Sequence, residues 1–356
     1  MRIALLGATG YGGIETLRLL EGRKDVEELV VFSDRYAEQA IEQVLPQFRG
    51  TSLGRIAFSP LAKFHDLSLM DAALLAMPHG EAPKYVERLL DQDVRVIDFS
   101  GDYRLPSDLY ELWYHAPAAE RHAPAVYGLP ERYREQIRTA RLVANPGCYA
   151  TASELALLPL LEQRLIDPLR IVIDAKSGVS GAGRNPKMTT HFAEVAESLH
   201  AYKVGAHQHT PEIERILADA WVRGREHGGG EFASQDVKVL LTTQLLPIKR
   251  GIYVTAYGQL NKEEMTTADV LGIYQTRYEK EPFVQVLPLG EMPEIRQVTG
   301  TNLCQIGVHV DERTHTVLAV AAIDNLGKGA AGQALQNLNL MLGLKETLGL
   351  QLSPWW

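Results

Sequence analysis

Ile3-Ala4-Leu5-Leu6-Gly7-Ala8-Thr9-Gly10-Tyr11-Gly12-Gly13 stands near the start of the chain, and its reading decides the fold. Ile3 to Leu6 forms a short apolar strand, and Ile14, Leu17, Leu19 and Leu20 then recur at helical spacing. A glycine-rich turn between a strand and a helix is where a dinucleotide pyrophosphate sits. Backbone N–H groups and the positive end of the helix hold it there. Gly7, Gly10 and Gly13 give Gly-x-x-Gly-x-x-Gly, and Gly12 also aligns as the last glycine. This departs from Gly-x-Gly-x-x-Gly, a weak signal by itself, but the strand-to-helix position makes it strong. A plain turn rarely needs four glycines in seven residues.

The next segments keep the same rhythm. Leu29 to Phe32, Ala72 to Ala76 and Val94 to Ile97 read as strands, and Glu81 to Leu90 as a helix. Alternating strands and helices with short loops predict a parallel sheet covered on both faces, a Rossmann-type α/β dinucleotide-binding domain. The stretch Arg35 to Leu69 shows no clear period. Beyond residue 148 longer alternating segments appear: Arg170 to Ala175, Val237 to Leu241, Ile252 to Tyr257, Ile306 to Val310 and Thr316 to Ala321. They predict an α+β catalytic domain with a mixed or antiparallel sheet. Ala330 to Leu342 reads as an apolar helix that returns to the first domain. The expected division is residues 1–148, completed by a helical segment at 325–356, and residues 149–324 for catalysis and dimerisation. Gly228-Gly229-Gly230 reads as a local loop.

Strand two ends in Ser33-Asp34-Arg35. An acidic residue there binds a ribose 2′-hydroxyl, whereas a nearby arginine accommodates a 2′-phosphate. Ser33 and Arg35 together suit NADP, with Asp34 turned away; Asp34 keeps NAD open.

Composition narrows the class. The chain has 356 residues, 46% hydrophobic and 22% charged, with a net charge of −8 that disfavours a nucleic-acid partner. Two cysteines in this length make no disulfide framework, which fits a reducing, cytoplasmic setting. Met1 to Leu6 is too short for a secretory signal, and no apolar run approaches the ~18 residues of a membrane span.

One of those cysteines lies in Asn145-Pro146-Gly147-Cys148-Tyr149-Ala150-Thr151, after the apolar Leu142-Val143-Ala144 and before a helical run from Ser153 to Leu161. Thr151 and Glu154 have capping-box spacing, which predicts Cys148 just ahead of a helix N-terminus. The dipole end favours a thiolate there, as a nucleophile requires. A small buried hydrophobe is the usual fate of a lone cysteine, but a core residue needs no Pro-Gly turn.

His207-Gln208-His209-Thr210-Pro211 holds two histidines just before a helix with Pro211 near its first position. His-x-His in an extended segment suits zinc, yet a metal site needs a third ligand and none stands at suggestive spacing. An imidazole titrating near neutrality can instead deprotonate Cys148; His209, closest to the helix start, comes first and His207 second. Ser177-Gly178-Val179-Ser180-Gly181-Ala182-Gly183-Arg184 is a second glycine-rich loop that lets backbone approach a ligand, with an arginine for an anion. Arg104 follows the fourth strand, at the carboxyl edge where open α/β sheets bind ligands.

Together these pieces resemble the N-acetyl-gamma-glutamyl-phosphate reductases of the aspartate-semialdehyde dehydrogenase group. The likeness runs nearly end to end, through Gly7 to Gly13, Met77-Pro78-His79-Gly80, Tyr127 to Glu131, Asn145 to Thr151, Ser177 to Arg184, His207 to Glu212 and Asp324 to Gly329. The cysteine box and the Ser177 to Arg184 loop are its specific parts. The resemblance implies NADPH-dependent reduction of an acyl phosphate through a thioester on Cys148, with His209 or His207 as base. It places Gly7, Thr9, Gly10, Tyr11, Gly12, Gly13, Pro78, Ser180, Gly181 and Asn325 at the cofactor, and Arg104, Asn145 and Arg184 at the substrate. It also implies a homo-oligomer, a small-molecule substrate and no metal. Relatives often carry a histidine where Gln244 stands, so that position is given no catalytic role. A carrier-linked aminoadipyl or glutamyl phosphate of lysine synthesis is the alternative substrate.

Overall fold

A computed structural model describes residues 1–64, 67–119, 124–223, 237–262 and 264–355. The Gly228-Gly229-Gly230 loop lies outside the described residues. The chain divides into two compact units, Met1–Pro146 with Ala330–Leu352, and Gly147–Gly329 with Ser353–Trp356. Cys148, placed at the end of the first domain by the sequence reading, lies in the second unit, which begins at Gly147.

The first unit is built on β1 (Arg2–Leu6), β2 (Glu28–Phe32), β3 (Ala72–Leu75), β4 (Arg95–Asp98), β5 (Val126–Tyr127) and β6 (Leu142–Ala144), in the order β2-β1-β3-β4-β6-β5. Every pairing is parallel. Such strands are buried on both faces, and β3 is accordingly an uninterrupted apolar run, Ala72-Ala73-Leu74-Leu75, with no exposure. β1 lies where the strand order turns back, which puts the Gly7 to Gly13 loop at the crevice such sheets use for ligands. The aperiodic stretch after Arg35 folds into a four-residue helix, Ile41–Val44, and three-residue turns at Pro46–Phe48, Leu53–Arg55 and Leu61–Lys63. Elements this short leave no period to read. The helix Gly332–Met341 joins this unit, every residue of it buried, against the Pro130–Thr139 helix and β4. Two of its polar side chains bond inward: Gln333 and Asn337 donate to the Gly128 carbonyl at 2.8 and 2.9 Å.

The second unit holds β7 (Ile166–Gly178), β8 (His200–Tyr202), β9 (Val239–Leu246), β10 (Ile252–Leu260), β11 (Val284–Val286), β12 (Cys304–Asp311) and β13 (Thr316–Ile323), in the order β11-β12-β13-β10-β7-β9-β8. β7–β9 and β11–β12 are parallel and the other pairs antiparallel, the mixed sheet the alternating segments predict. β10 alternates buried and half-buried positions along most of its length, so one face packs inward. The helix Cys148–Glu162 lies on that face against β10 and β13, with Tyr149 to Leu161 all buried. The opposite face leaves Val172 and Leu240 exposed. No helix among the described residues is long and apolar enough to cross a membrane.

Candidate active site

The cysteine is placed differently from the capping-box expectation. The helix begins at Cys148 itself with Gly147 as its N-cap, so Thr151 lies inside the first turns. Both the N–H and the hydroxyl of Thr151 donate to the Gly147 carbonyl, at 2.8 and 3.1 Å. A threonine bonding back four residues imitates a cap in sequence without being one. Cys148 is therefore the first helical residue, partly exposed, with no acidic side chain in the first turn to compete for the positive helix end.

The two histidines gather around the same turn. His209 packs its imidazole on Gly147 so closely that a Cβ there would lie 2.2 Å from Nε2. The Gly147 N–H donates to Glu212 Oε1 at 2.8 Å, and Glu212 is buried in the first turn of the Thr210–Arg223 helix. That helix therefore carries both the imidazole just ahead of it and the carboxylate that holds the cysteine's turn. His207 Nδ1 accepts the His209 backbone N–H at 3.1 Å, which leaves its proton on Nε2. Burial, followed by the charges of His209 and Lys203, pushes His207 down to about 2. The two imidazoles lie 4.6 Å apart, and the Tyr149 ring stands perpendicular to His207 at 5.2 Å. Tyr149 and Tyr202 share a hydroxyl contact of 2.9 Å. On its other side, Cys148 is flanked by Gly329, where a Cβ would lie 2.8 Å from the cysteine Cβ.

Asn325 is held from two directions in the same unit. Its Oδ1 accepts the Gly251 N–H at 2.8 Å, and its Nδ2 donates to Ser180 Oγ at 2.9 Å. The Ser177 to Arg184 loop is thereby tied to Asn325, while Gly181 and Arg184 are exposed.

The remaining predicted residues belong to the first unit. Gly7 has φ +80°, and a Cβ there would lie 2.1 Å from the Ala76 carbonyl oxygen. Gly13 packs equally tightly on Gly7 and Ala8, so these two close the turn. Gly10 caps the Tyr11–Leu20 helix without a side chain, and a Cβ there would meet only the Gly7 carbonyl oxygen, at 3.5 Å, a cradle that fits a pyrophosphate. Thr9 and Gly12 are partly exposed, and Tyr11 and Pro78 exposed. Asp34 Oδ1 accepts the Leu61 N–H at 2.7 Å, leaving Ser33 and Arg35 at the end of β2. Arg104 is buried and donates through Nε and Nη2 to the Asn145 and Phe99 carbonyls, both at 2.7 Å. Asn145 donates to the Ala330 carbonyl at 3.0 Å and accepts from Asn337 at 3.2 Å. These bonds tie the ends of β4 and β6 together. Beside them Asp98, fully buried and bonded to Ser100, is pushed up to about 6 by burial.

Among the described residues no three His, Cys, Asp or Glu side chains are grouped to hold a metal ion. Sequence reading missed Gly147 as a contact surface, Glu212, the Tyr149–Tyr202 pair and Gly329. An acidic residue directly after Pro211 was the available signal for Glu212.

Comparison with known proteins accords with this arrangement. The family description "Semialdehyde dehydrogenase, NAD binding domain" matches residues 2–140, and "Semialdehyde dehydrogenase, dimerisation domain" matches residues 148–325. Proteins named N-acetyl-gamma-glutamyl-phosphate reductase are similar throughout. That of Brevibacillus brevis is 43% identical over 99% of both chains. That of Nitrosospira multiformis is 44% identical over 99% of both, and that of Symbiobacterium thermophilum 44% identical over 98% of this chain and 97% of its own. None of these three carries a lysine-pathway name, so the carrier-linked alternative gains no support. Among solved structures, aspartate semialdehyde dehydrogenase II of Vibrio cholerae superposes with a TM-score of 0.72 at 19% identity, covering 96% of this chain and 98% of that one. The enzyme of Candida albicans, solved with NADP, gives 0.68 at 14% over 96% and 98%. At such identities the likeness concerns the fold.

Proposed function

This chain belongs to the N-acetyl-gamma-glutamyl-phosphate reductase family, and we propose that it reduces N-acetyl-gamma-glutamyl phosphate to the semialdehyde with NADPH, in arginine biosynthesis. The observation that carries the reading is Cys148 at the first position of its helix, with the His209 imidazole packed on the residue before it.

In this reading the helix N-terminus stabilises the Cys148 thiolate, and His209 takes the thiol proton. The sulfur attacks the acyl carbonyl, the C–O bond to phosphate breaks, and inorganic phosphate leaves a thioester on Cys148. NADPH, when bound, supplies the hydride that reduces the thioester carbon. His209 gives its proton to the developing oxygen, then takes it back from the thiohemiacetal hydroxyl as the C–S bond breaks, which releases the aldehyde and the thiolate. His207 orients rather than titrates: its Nδ1 is occupied by the His209 N–H, and burial keeps it neutral. Arg184, exposed on its glycine loop, is assigned to the substrate's anionic groups. Arg104 and Asn145, which the family resemblance assigns to the substrate, fix the ends of β4 and β6 within the first unit.

The Gly7 to Gly13 turn is assigned to the pyrophosphate, and Ser33 with Arg35 to the 2′-phosphate of NADP, because Asp34 is engaged with Leu61. Cys148 and Cys304 are not joined in a disulfide, which fits a cytoplasmic enzyme. The open face of the second sheet, with Val172 and Leu240 exposed, is assigned to pairing with a second copy of the chain.

Cys148→Ser tests the central step. It should abolish phosphate-dependent oxidation of the semialdehyde while NADPH still binds; retained turnover would remove Cys148 from the nucleophile's place.

A further inference from the structure

We propose that Trp355 is a positioning residue for the Asn325 loop, acting through the ion pair of Arg250 and Asp324. The proposal rests on the function proposed above, with Asn325 assigned to the cofactor as the family resemblance implies.

Asp324 is fully buried and fixes the loop on which Asn325 sits. Its Oδ1 accepts the backbone N–H groups of Leu326 and Gly327 at 2.8 and 3.0 Å, and its Oδ2 accepts that of Gly300 at 2.5 Å. Arg250 supplies the positive charge through Nη2 and Nε, at 2.8 and 3.1 Å from Oδ1. A buried carboxylate needs such a partner, and the loop's two N–H bonds, with that of Gly300, depend on the carboxylate staying in place. The neighbour of Arg250 completes the grip, since the Gly251 N–H donates to Asn325 Oδ1 at 2.8 Å.

Trp355 touches two of that carboxylate's four donors, Arg250 and Gly300. Its indole ring lies 4.7 Å from the Arg250 guanidinium carbon, a cation–π contact that shields one face of the guanidinium from water. It also presses on Gly300 so closely that a Cβ there would lie 2.7 Å from the ring. Its backbone N–H donates to the Thr299 carbonyl at 2.9 Å, which fixes the indole's position. Yet the Trp355 side chain is 45% exposed, far more than a residue held only for core packing. Its ring contact with Arg250 and its packing on Gly300 both bear on Asp324, the residue before Asn325.

The test compares Trp355→Ala and Trp355→Phe in the full chain. NADPH affinity is titrated by the nucleotide's own fluorescence without substrate, beside the KM of each substrate, kcat and the thermal midpoint. Trp355→Ala should weaken NADPH binding about five-fold, because the Asn325 loop then holds its binding geometry only part of the time. The KM for the acyl phosphate should hold and the thermal midpoint stay near that of the unmodified protein, and Trp355→Phe should restore most of the affinity. Unchanged NADPH affinity in Trp355→Ala, or a Phe variant as weak as the Ala variant, overturns the proposal. Failure of the unmodified protein to bind NADPH overturns the functional reading with it, a result distinct from either.

Discussion

Nε2 of His209 occupies space that any side chain on Gly147 would fill, 2.2 Å from where its Cβ would be. Gly147 has φ −70° and ψ 150°, a conformation open to every residue, so glycine is needed here for space alone. Gly147→Ala should therefore keep its fold and push the imidazole away from the cysteine's turn. We expect kcat to fall roughly 100-fold, the usual cost of a displacement on the order of 1 Å at a reacting centre. A steady-state assay with an unchanged circular dichroism spectrum checks it; near-normal kcat would mean that the imidazole's place is unimportant.

The two histidines should separate on mutation. His209→Asn removes the proposed base, and kcat should drop by about 10² to 10⁴. His207→Asn retains an acceptor for the His209 N–H and should cost far less. Equal losses would contradict the division of roles.

Acid stability should report His207. Its ordinary value is 6.5 and its native value about 2. Between the two, the unfolded chain holds a proton that the native imidazole refuses, so stability falls as pH falls through that window. The slope reaches about 1.4 kcal/mol per pH unit for this group. Asp98 acts with the opposite sign, because its native value of about 6 lies above the ordinary 3.8, so its contribution declines as pH rises between them. Urea titrations of His207→Gln and the unmodified protein at about pH 5 and pH 7 isolate the first effect. Relative to the unmodified protein, the variant should gain stability as pH falls from 7 to 5, because it no longer excludes that proton; parallel curves would count against a neutral His207.

Cofactor choice should follow Arg35. Arg35→Ala removes the cation assigned to the 2′-phosphate, and the preference for NADPH over NADH should shrink roughly ten-fold. A ratio of specificity constants that does not move would transfer the 2′-phosphate to another group.

The fold was legible where the chain uses long periods. β1, the glycine turn and the Tyr11–Leu20 helix follow directly from the first twenty residues. The stretch after Arg35 was not, because its elements are three or four residues long. The start of the cysteine's helix was misread for a chemical reason: the Thr151 hydroxyl bonds back to Gly147 instead of capping forward. Cys148 and the histidines could be named from their local setting. Their meeting at Gly147 could not, since it joins positions 62 residues apart (209 − 147), and no local spacing encodes that distance.

Gly329 gives this arrangement a further property. Its missing side chain lets the backbone press against the Cys148 Cβ, and a methyl group there would begin 2.8 Å from it. With a buried helix behind and this wall alongside, the thiol carrier has little room to recoil when the acyl group is attached. The protein has thus exchanged side-chain freedom for aim, and tolerance of even the smallest substitution at position 329 should be correspondingly poor.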